Sequence, residues 1–216
     1  MYSFRRCPYA IRARYTIAVV GISIELREVV LKSKPQALLS LGGRSSVPQL
    51  IDTEGVRYSE SLDVMLWALS QHHNSSVSRV LWPESMLQRN KIMAWIQYND
   101  RFFKYWLDHY KYADRFPEFG EEYYRNKGEI FLKRLNKRLE RSAFLFGNDC
   151  CLADIAIFPF VRQFAAVRPS WFDLSEYSHV RLWLENFLSS DLFKLTVMKK
   201  VPVWQAGQEM ILFPAC

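Results

Sequence analysis

An α/β domain over residues 1–74, followed by an all-helical domain over residues 84–216, is the architecture this sequence predicts. Two changes of rhythm and one feature of composition predict it. The first part alternates short strand-like and helix-like stretches in the order βαβαββα, the order of a small α/β sandwich. After the polar stretch "HHNSSVSR", His72 to Arg79, only helical periodicity remains, so that stretch reads as a linker. Of the 216 residues, 50% are hydrophobic and 24% charged, enough apolar side chains for packed cores. No apolar run approaches the ~20 residues of a membrane-spanning helix.

The elements follow in order. Met1 to Phe4 is expected to be a short strand. Pro8 to Val20 reads as a helix with Ile11, Tyr15 and Ala18 on one face, ended by Gly21. Ile24 to Val29 alternates apolar and charged residues, the period of a strand. Pro35 to Leu41 suits a short helix closed by Gly42 and Gly43. Val47 to Asp52 reads as a strand, "DTEG" as a turn and "VRYS" as the returning strand of a hairpin. Ser59 to Gln71 is a helix with Leu62, Met65, Leu66 and Leu69 inward. Beyond the linker, helical segments are expected at Glu84 to Tyr112, Pro117 to Phe144, Leu152 to Val167 and Tyr177 to Lys199. The apolar tail after Pro202 is expected to pack on the body.

Charge and cysteine usage narrow the function classes. The net charge is +7. Its densest cluster, Lys133, Arg134, Lys137, Arg138 and Arg141, falls on neighbouring turns of one predicted helix. That is a solvated helical face rather than a nucleic-acid stripe, and an anionic small molecule also suits the charge. The four cysteines, Cys7, Cys150, Cys151 and Cys216, have no zinc-site spacing, and His72 and His73 have no partner pair. No metal, membrane or nucleic-acid partner is expected. A chain of this size needs no disulfide staples, and no apolar signal segment stands at its start, so a reducing, cytoplasmic location is expected.

Cys7 carries the chemistry. It stands at the expected first turn of a helix, ahead of Pro8, which fits the first helical position. Helix N-terminal amides and the nearby Arg5, Arg6 and Arg12 favour a thiolate over a thiol whose ordinary pKa is about 8.5. Ala10 occupies the position three residues on, so the motif holds no second cysteine. A mixed disulfide on Cys7 therefore needs an external thiol for its release. Pro48 reads on its own as an ordinary strand-edge proline. Around Glu60 and Ser61 two readings stand: Ser59 or Ser61 caps the following helix, or the helix start binds an external carboxylate and Glu60 an ammonium group. Asp154, three residues after Cys151, completes half of a capping box, accepting from the Cys151 amide. A thiol is a poor acceptor, so the cap is expected to be weak.

These pieces together resemble the glutathione S-transferase superfamily, and most closely its omega-like, cysteine-containing branch. "YSFRRCPYA" resembles that branch's strand-to-helix segment, with its Cys-Pro-aromatic-Ala run. "LKSKP" resembles the segment carrying a glutathione-contacting lysine, and "SVPQL" the segment with a cis proline. "YSESLDVMLWAL" resembles the Glu-Ser motif, and "CLADIAIFPFV" the capping-box motif of the helical domain. The resemblance covers essentially the whole chain. It implies a thioredoxin-like N-terminal domain, a helical C-terminal domain, glutathione as co-substrate and a homodimer. It also implies roles: Cys7 for the mixed disulfide, Lys34 for a glutathione carboxylate and the Val47 backbone beside Pro48 for the cysteinyl part. Glu60 and Ser61 would hold the γ-glutamyl end. Related chains usually carry several residues before this first segment, so the first strand is either short here or begins upstream.

The activity this implies is a glutathione-dependent thiol transferase or reductase acting on a small disulfide or electrophile. Two alternatives are glutathione conjugation to apolar electrophiles, with Tyr2 or Ser3 near the thiolate, and a non-catalytic interaction module. The retained Cys7 and Glu-Ser pair count against the last. The second substrate is expected between the domains, with Tyr98 and Phe102 of the aromatic-rich helix as its contacts.

Overall fold

In the computed structural model the structure describes residues 1–73 and 75–214; Asn74 of the expected boundary, and Ala215 and Cys216, lie outside the described residues. The chain divides into two compact units, Met1–Ser78 with Ser190–Cys216, and Arg79–Ser189.

The first unit is built on short strands. β1, Tyr2–Ser3, runs parallel to β3, Arg27–Glu28, with Tyr2 opposite Arg27. On its other side Tyr2 exchanges backbone bonds with Gln49, at 2.8 and 3.1 Å. That bridge joins β1 to β4, Leu50–Ile51, which forms the expected hairpin with β5, Arg57–Tyr58. The "DTEG" turn between them is tied by Asp52, whose Oδ1 accepts the Glu54 and Val56 amides. The expected strand over Ile24 to Val29 is divided into β2, Ile24–Glu25, and β3. The division falls at Leu26, where the pairing partner changes: the Leu26 N–H still donates to Ile211 of the tail at 2.8 Å, whereas the Arg27 N–H donates to Met1 at 2.9 Å.

That tail packs, as its apolar character predicts. β6, Leu212–Phe213, pairs antiparallel with β2, and Val203 bridges Glu28 in parallel. The outer sheet edge is thereby covered, which removes a row of open backbone groups. Phe213 enters the same core as Ala13, Ile17, Leu26, Leu50 and Val64.

Helix α1, Pro8–Val20, has the predicted limits. Gly21 closes it at φ 78, a left-handed conformation that glycine adopts without a Cβ clash. α2 is only Gln36–Leu39. α3 is Ser61–Gln71, starting two residues later than expected. Its buried face is Ser61, Val64, Met65, Ala68 and Leu69, while Leu62 and Leu66 are half-buried at its border. The i, i+3, i+4 stripe is rotated by one residue from the leucine-centred one. α4, Ser76–Leu81, begins inside the expected linker, because the Ser75 hydroxyl accepts the Ser78 amide at 3.0 Å.

The second unit is helical. The expected helix from Glu84 to Tyr112 forms as α5, Met86–Tyr98, and α6, Lys104–Lys111, joined by a π-helical turn at Asn99–Phe103. α7 is Glu121–Leu139 and α8 Leu152–Ala165. A short helix that the periodicity did not reveal, α9, Pro169–Leu174, starts at Pro169. α10 is Ser178–Ser189. The expected continuation towards Lys199 is a separate π-helical turn, Leu192–Val197, which packs on α1 within the first unit. Phe103, Phe131, Phe158 and Phe164 fill the centre of the helical unit without exposure.

Candidate functional site

The candidate site starts at a turn between β1 and α1. The Cys7 N–H closes it by donating to the Phe4 carbonyl at 2.9 Å. Cys7 is the N-cap residue of α1, extended at φ −75 and ψ 124, and its carbonyl accepts the Ile11 amide at 2.9 Å. Pro8 follows at the first helical position. Cys7 makes no side-chain cap to its own helix. Its thiol instead donates to the Val47 carbonyl at 3.7 Å. The Val47–Pro48 peptide is cis, and both residues are buried. Two segments far apart in sequence thus meet at the thiol.

Lys34 precedes α2, and its Nζ donates to Ser45 Oγ at 3.0 Å. Glu60 is the N-cap residue of α3, and no side chain caps that helix. Neither Ser59 nor Ser61 plays the capping role that spacing allowed. Ser61 is only 3% exposed, and its hydroxyl accepts from Arg12 Nε at 3.0 Å. Arg12 is itself buried on α1, with its guanidinium 5.1 Å from the Tyr9 ring centre. Sequence reasoning registered Arg12 only as nearby positive charge. The signal for more was its place within α1, where an arginine among apolar residues must find buried acceptors.

The other described thiols are in different surroundings. Burial pushes the Cys150 and Cys151 thiols well above the ordinary range, and the Asp154 carboxylate pushes the same way. Both surroundings thus favour the thiol over the thiolate. Cys151 is the N-cap of α8, and its amide donates to Asp154 Oδ2 at 3.0 Å, the capping-box bond that spacing predicts. The Cys151 thiol donates to the same oxygen at 3.0 Å. Tyr98 and Phe102 belong to the helical unit, where their rings stack at 5.1 Å between centres and Arg134 lies over Tyr98. Tyr2 and Ser3 are 4% and 0% exposed, and Tyr2 Oη accepts from Arg27 Nη1 at 2.8 Å.

Residues 1–76 match the family model for the glutathione S-transferase N-terminal domain, and residues 131–186 that for the C-terminal domain. A probable glutathione transferase of Aplysia californica is 45% identical over 58 residues, 27% of this chain. That match spans 62% of the relative's own length. Among solved structures, an unclassified glutathione S-transferase of Bombyx mori superposes with a TM-score of 0.74 at 16% identity, over 87% of this chain and 86% of that one. A delta-class glutathione transferase of Nilaparvata lugens gives 0.71 at 23% identity, over 88% and 87%. A glutathione transferase family member of Pseudomonas fluorescens, solved with two glutathione molecules bound, gives 0.73 at 17% identity, over 88% and 87%. These likenesses establish a common fold, an N-terminal α/β thioredoxin-like part with a helical C-terminal part.

Proposed function

The chain belongs to the glutathione S-transferase superfamily, and from that premise we propose that it is a glutathione-dependent thiol transferase, closest to the omega-like branch, acting through Cys7. The observation that carries this reading is the thiol at the α1 N-cap, pointed at the Val47 carbonyl beside Pro48, with Ala10 where a second cysteine would stand. The Cys7 thiolate attacks the glutathionyl sulfur of a mixed disulfide. A Cys7–glutathione disulfide forms, and the substrate leaves as a thiolate that takes up a proton. A second glutathione thiolate then attacks the bound glutathionyl sulfur, giving oxidised glutathione and restoring Cys7. In this scheme Lys34 pairs with a glutathione carboxylate and the Val47 backbone bonds its cysteinyl part. Glu60 and Ser61 hold the γ-glutamyl ammonium and carboxylate, and the open α3 N-terminus favours that carboxylate.

Conjugation to apolar electrophiles would need a hydroxyl beside the glutathione thiolate. Tyr2 and Ser3 are both buried, which speaks against both candidates. Treatment with oxidised glutathione is expected to add one glutathione to the wild type, at the Cys7 peptide, by mass spectrometry. Cys7→Ser should gain none there and lose at least about 100-fold in reduction of a small glutathione mixed disulfide. Wild-type rates in the folded Cys7→Ser protein would refute the assignment.

A further inference from the structure

Glu28 lies on β3, outside the sequence motifs of the candidate site. Its side chain is 11% exposed. Oε1 accepts the backbone N–H of Arg5 at 2.7 Å, and Oε2 accepts Arg14 Nη1 at 3.4 Å. Arg14, fully buried on α1, also donates Nη2 to the Lys199 carbonyl at 3.3 Å. Arg5 donates Nη1 to the neighbouring Met198 carbonyl, also at 3.3 Å. The Glu28 carbonyl accepts the Trp204 amide at 2.8 Å. The Glu28 carboxylate therefore ties the Phe4–Cys7 turn to helix α1, and Arg14, Arg5 and the Glu28 backbone carbonyl join both to the first stretch of the C-terminal tail.

Burying a carboxylate is costly unless its acceptor sites are matched. Burial pushes the Glu28 pKa up, opposed by the Arg5 amide and by Arg14 and Arg5. An apolar pair could fill the same volume at less cost, so the charge suggests a demand for placement rather than stability. Placement matters most at Arg5. It is the second residue of the turn whose fourth residue is Cys7, and its N–H has no part in the turn's own closing bond. With Arg5 anchored, the turn is held where it leaves β1 by Glu28 and at Cys7 by its own closing bond. The Cys7 backbone, and so the direction of its sulfur, follows.

We propose that Glu28 is a positioning residue for Cys7. Its carboxylate fixes the Arg5 amide, and with it the direction of the thiol relative to the α1 N-terminus and the Val47 carbonyl. Residues 198–204 of the tail are the third member of this clamp. The proposal rests on reading Cys7 as the reacting thiol.

The test uses the full chain and follows iodoacetamide alkylation of the Cys7 peptide by mass spectrometry across a pH series. Arg5→Pro removes the N–H, while proline suits the second position of such a turn. Arg5→Ala removes the same guanidinium but keeps the N–H. Arg5→Pro is expected to react about tenfold more slowly than Arg5→Ala at neutral pH, with its half-maximal rate at higher pH. Glu28→Ala should show the same loss, and Glu28→Gln, which keeps an acceptor, should recover most of it. Equal profiles for Arg5→Pro and Arg5→Ala overturn the proposal, as do equal profiles for folded Glu28→Ala and Glu28→Gln. If Glu28→Ala does not fold, the Arg5 pair decides alone. A wild-type chain that forms no Cys7–glutathione disulfide refutes the thiol-transfer reading, while the alkylation comparison still judges the clamp.

Discussion

Asp154 of α8 is wholly buried, and its two oxygens accept four hydrogen bonds. Oδ1 takes the Leu145 amide and Trp183 Nε1, both at 2.9 Å, and Oδ2 takes the amide and thiol of Cys151, both at 3.0 Å. Asp154→Ala leaves these donors without the acceptor, so a loss of about 3–5 kcal/mol is expected in urea denaturation. Burial raises the Asp154 pKa, opposed by its hydrogen bonds. The folded state then keeps this proton to higher pH than the unfolded chain does. The contribution to stability falls as pH rises from the unfolded value, about 3.9, through the raised one. The advantage of wild type over Asp154→Asn should therefore be largest near that lower value and shrink at higher pH. An advantage that grows with pH would contradict the raised pKa. The capping-box bond was legible in the sequence because Cys151 and Asp154 are three residues apart. The Trp183 bond was not, because it joins separate helices.

Among the elements, α7 shows local preference and packing in conflict. Gly128 lies inside that helix, where alanine would ordinarily gain about 1 kcal/mol. A Cβ there would stand 2.5 Å from Cε2 of Phe164 on α8. That ring is itself confined, with Phe103 at 5.4 Å and Tyr110 at 4.8 Å. Overpacking of this kind costs roughly 1–3 kcal/mol, so it should outweigh the gain in propensity. Gly128→Ala is expected to lower the urea midpoint, whereas a rise would show that Phe164 moves freely. Local chemistry made α1 readable to the residue, through Pro8 at its start and Gly21 at its end. It could not show the division of the strand at Leu26 or the π-helical turn at Asn99–Phe103, because both depend on neighbours distant in sequence.

For the whole molecule, chain order and compact units do not coincide. Ser190–Cys216 groups with Met1–Ser78, although helical residues intervene. Within that unit the tail covers β2, bridges β3 and buries Phe213. Removing residues 201–216 should therefore destabilise the α/β unit by at least about 3 kcal/mol, the cost of deleting one buried phenylalanine. It should also expose the amide of Leu26, which donates to Ile211, to hydrogen exchange. Unchanged protection at this amide would mean that the tail merely rests on the sheet.

The sequence by itself determined the two kinds of unit, the limits of α1, the hairpin and a thiol at a helix start. Those features rest on periodicity and on turn chemistry within a few residues, where local sterics decide. Through its resemblance to family motifs it also pointed to Lys34, Val47, Glu60 and Ser61, without saying what their side chains touch. Only the tertiary structure directed the Cys7 thiol to Val47, joined Ser61 to Arg12, and tied the Cys7 turn to Glu28 and the tail. These are contacts between segments far apart along the chain. A hydrogen bond of that kind depends on where the packed strands and helices place its partners, and local spacing carries no record of it.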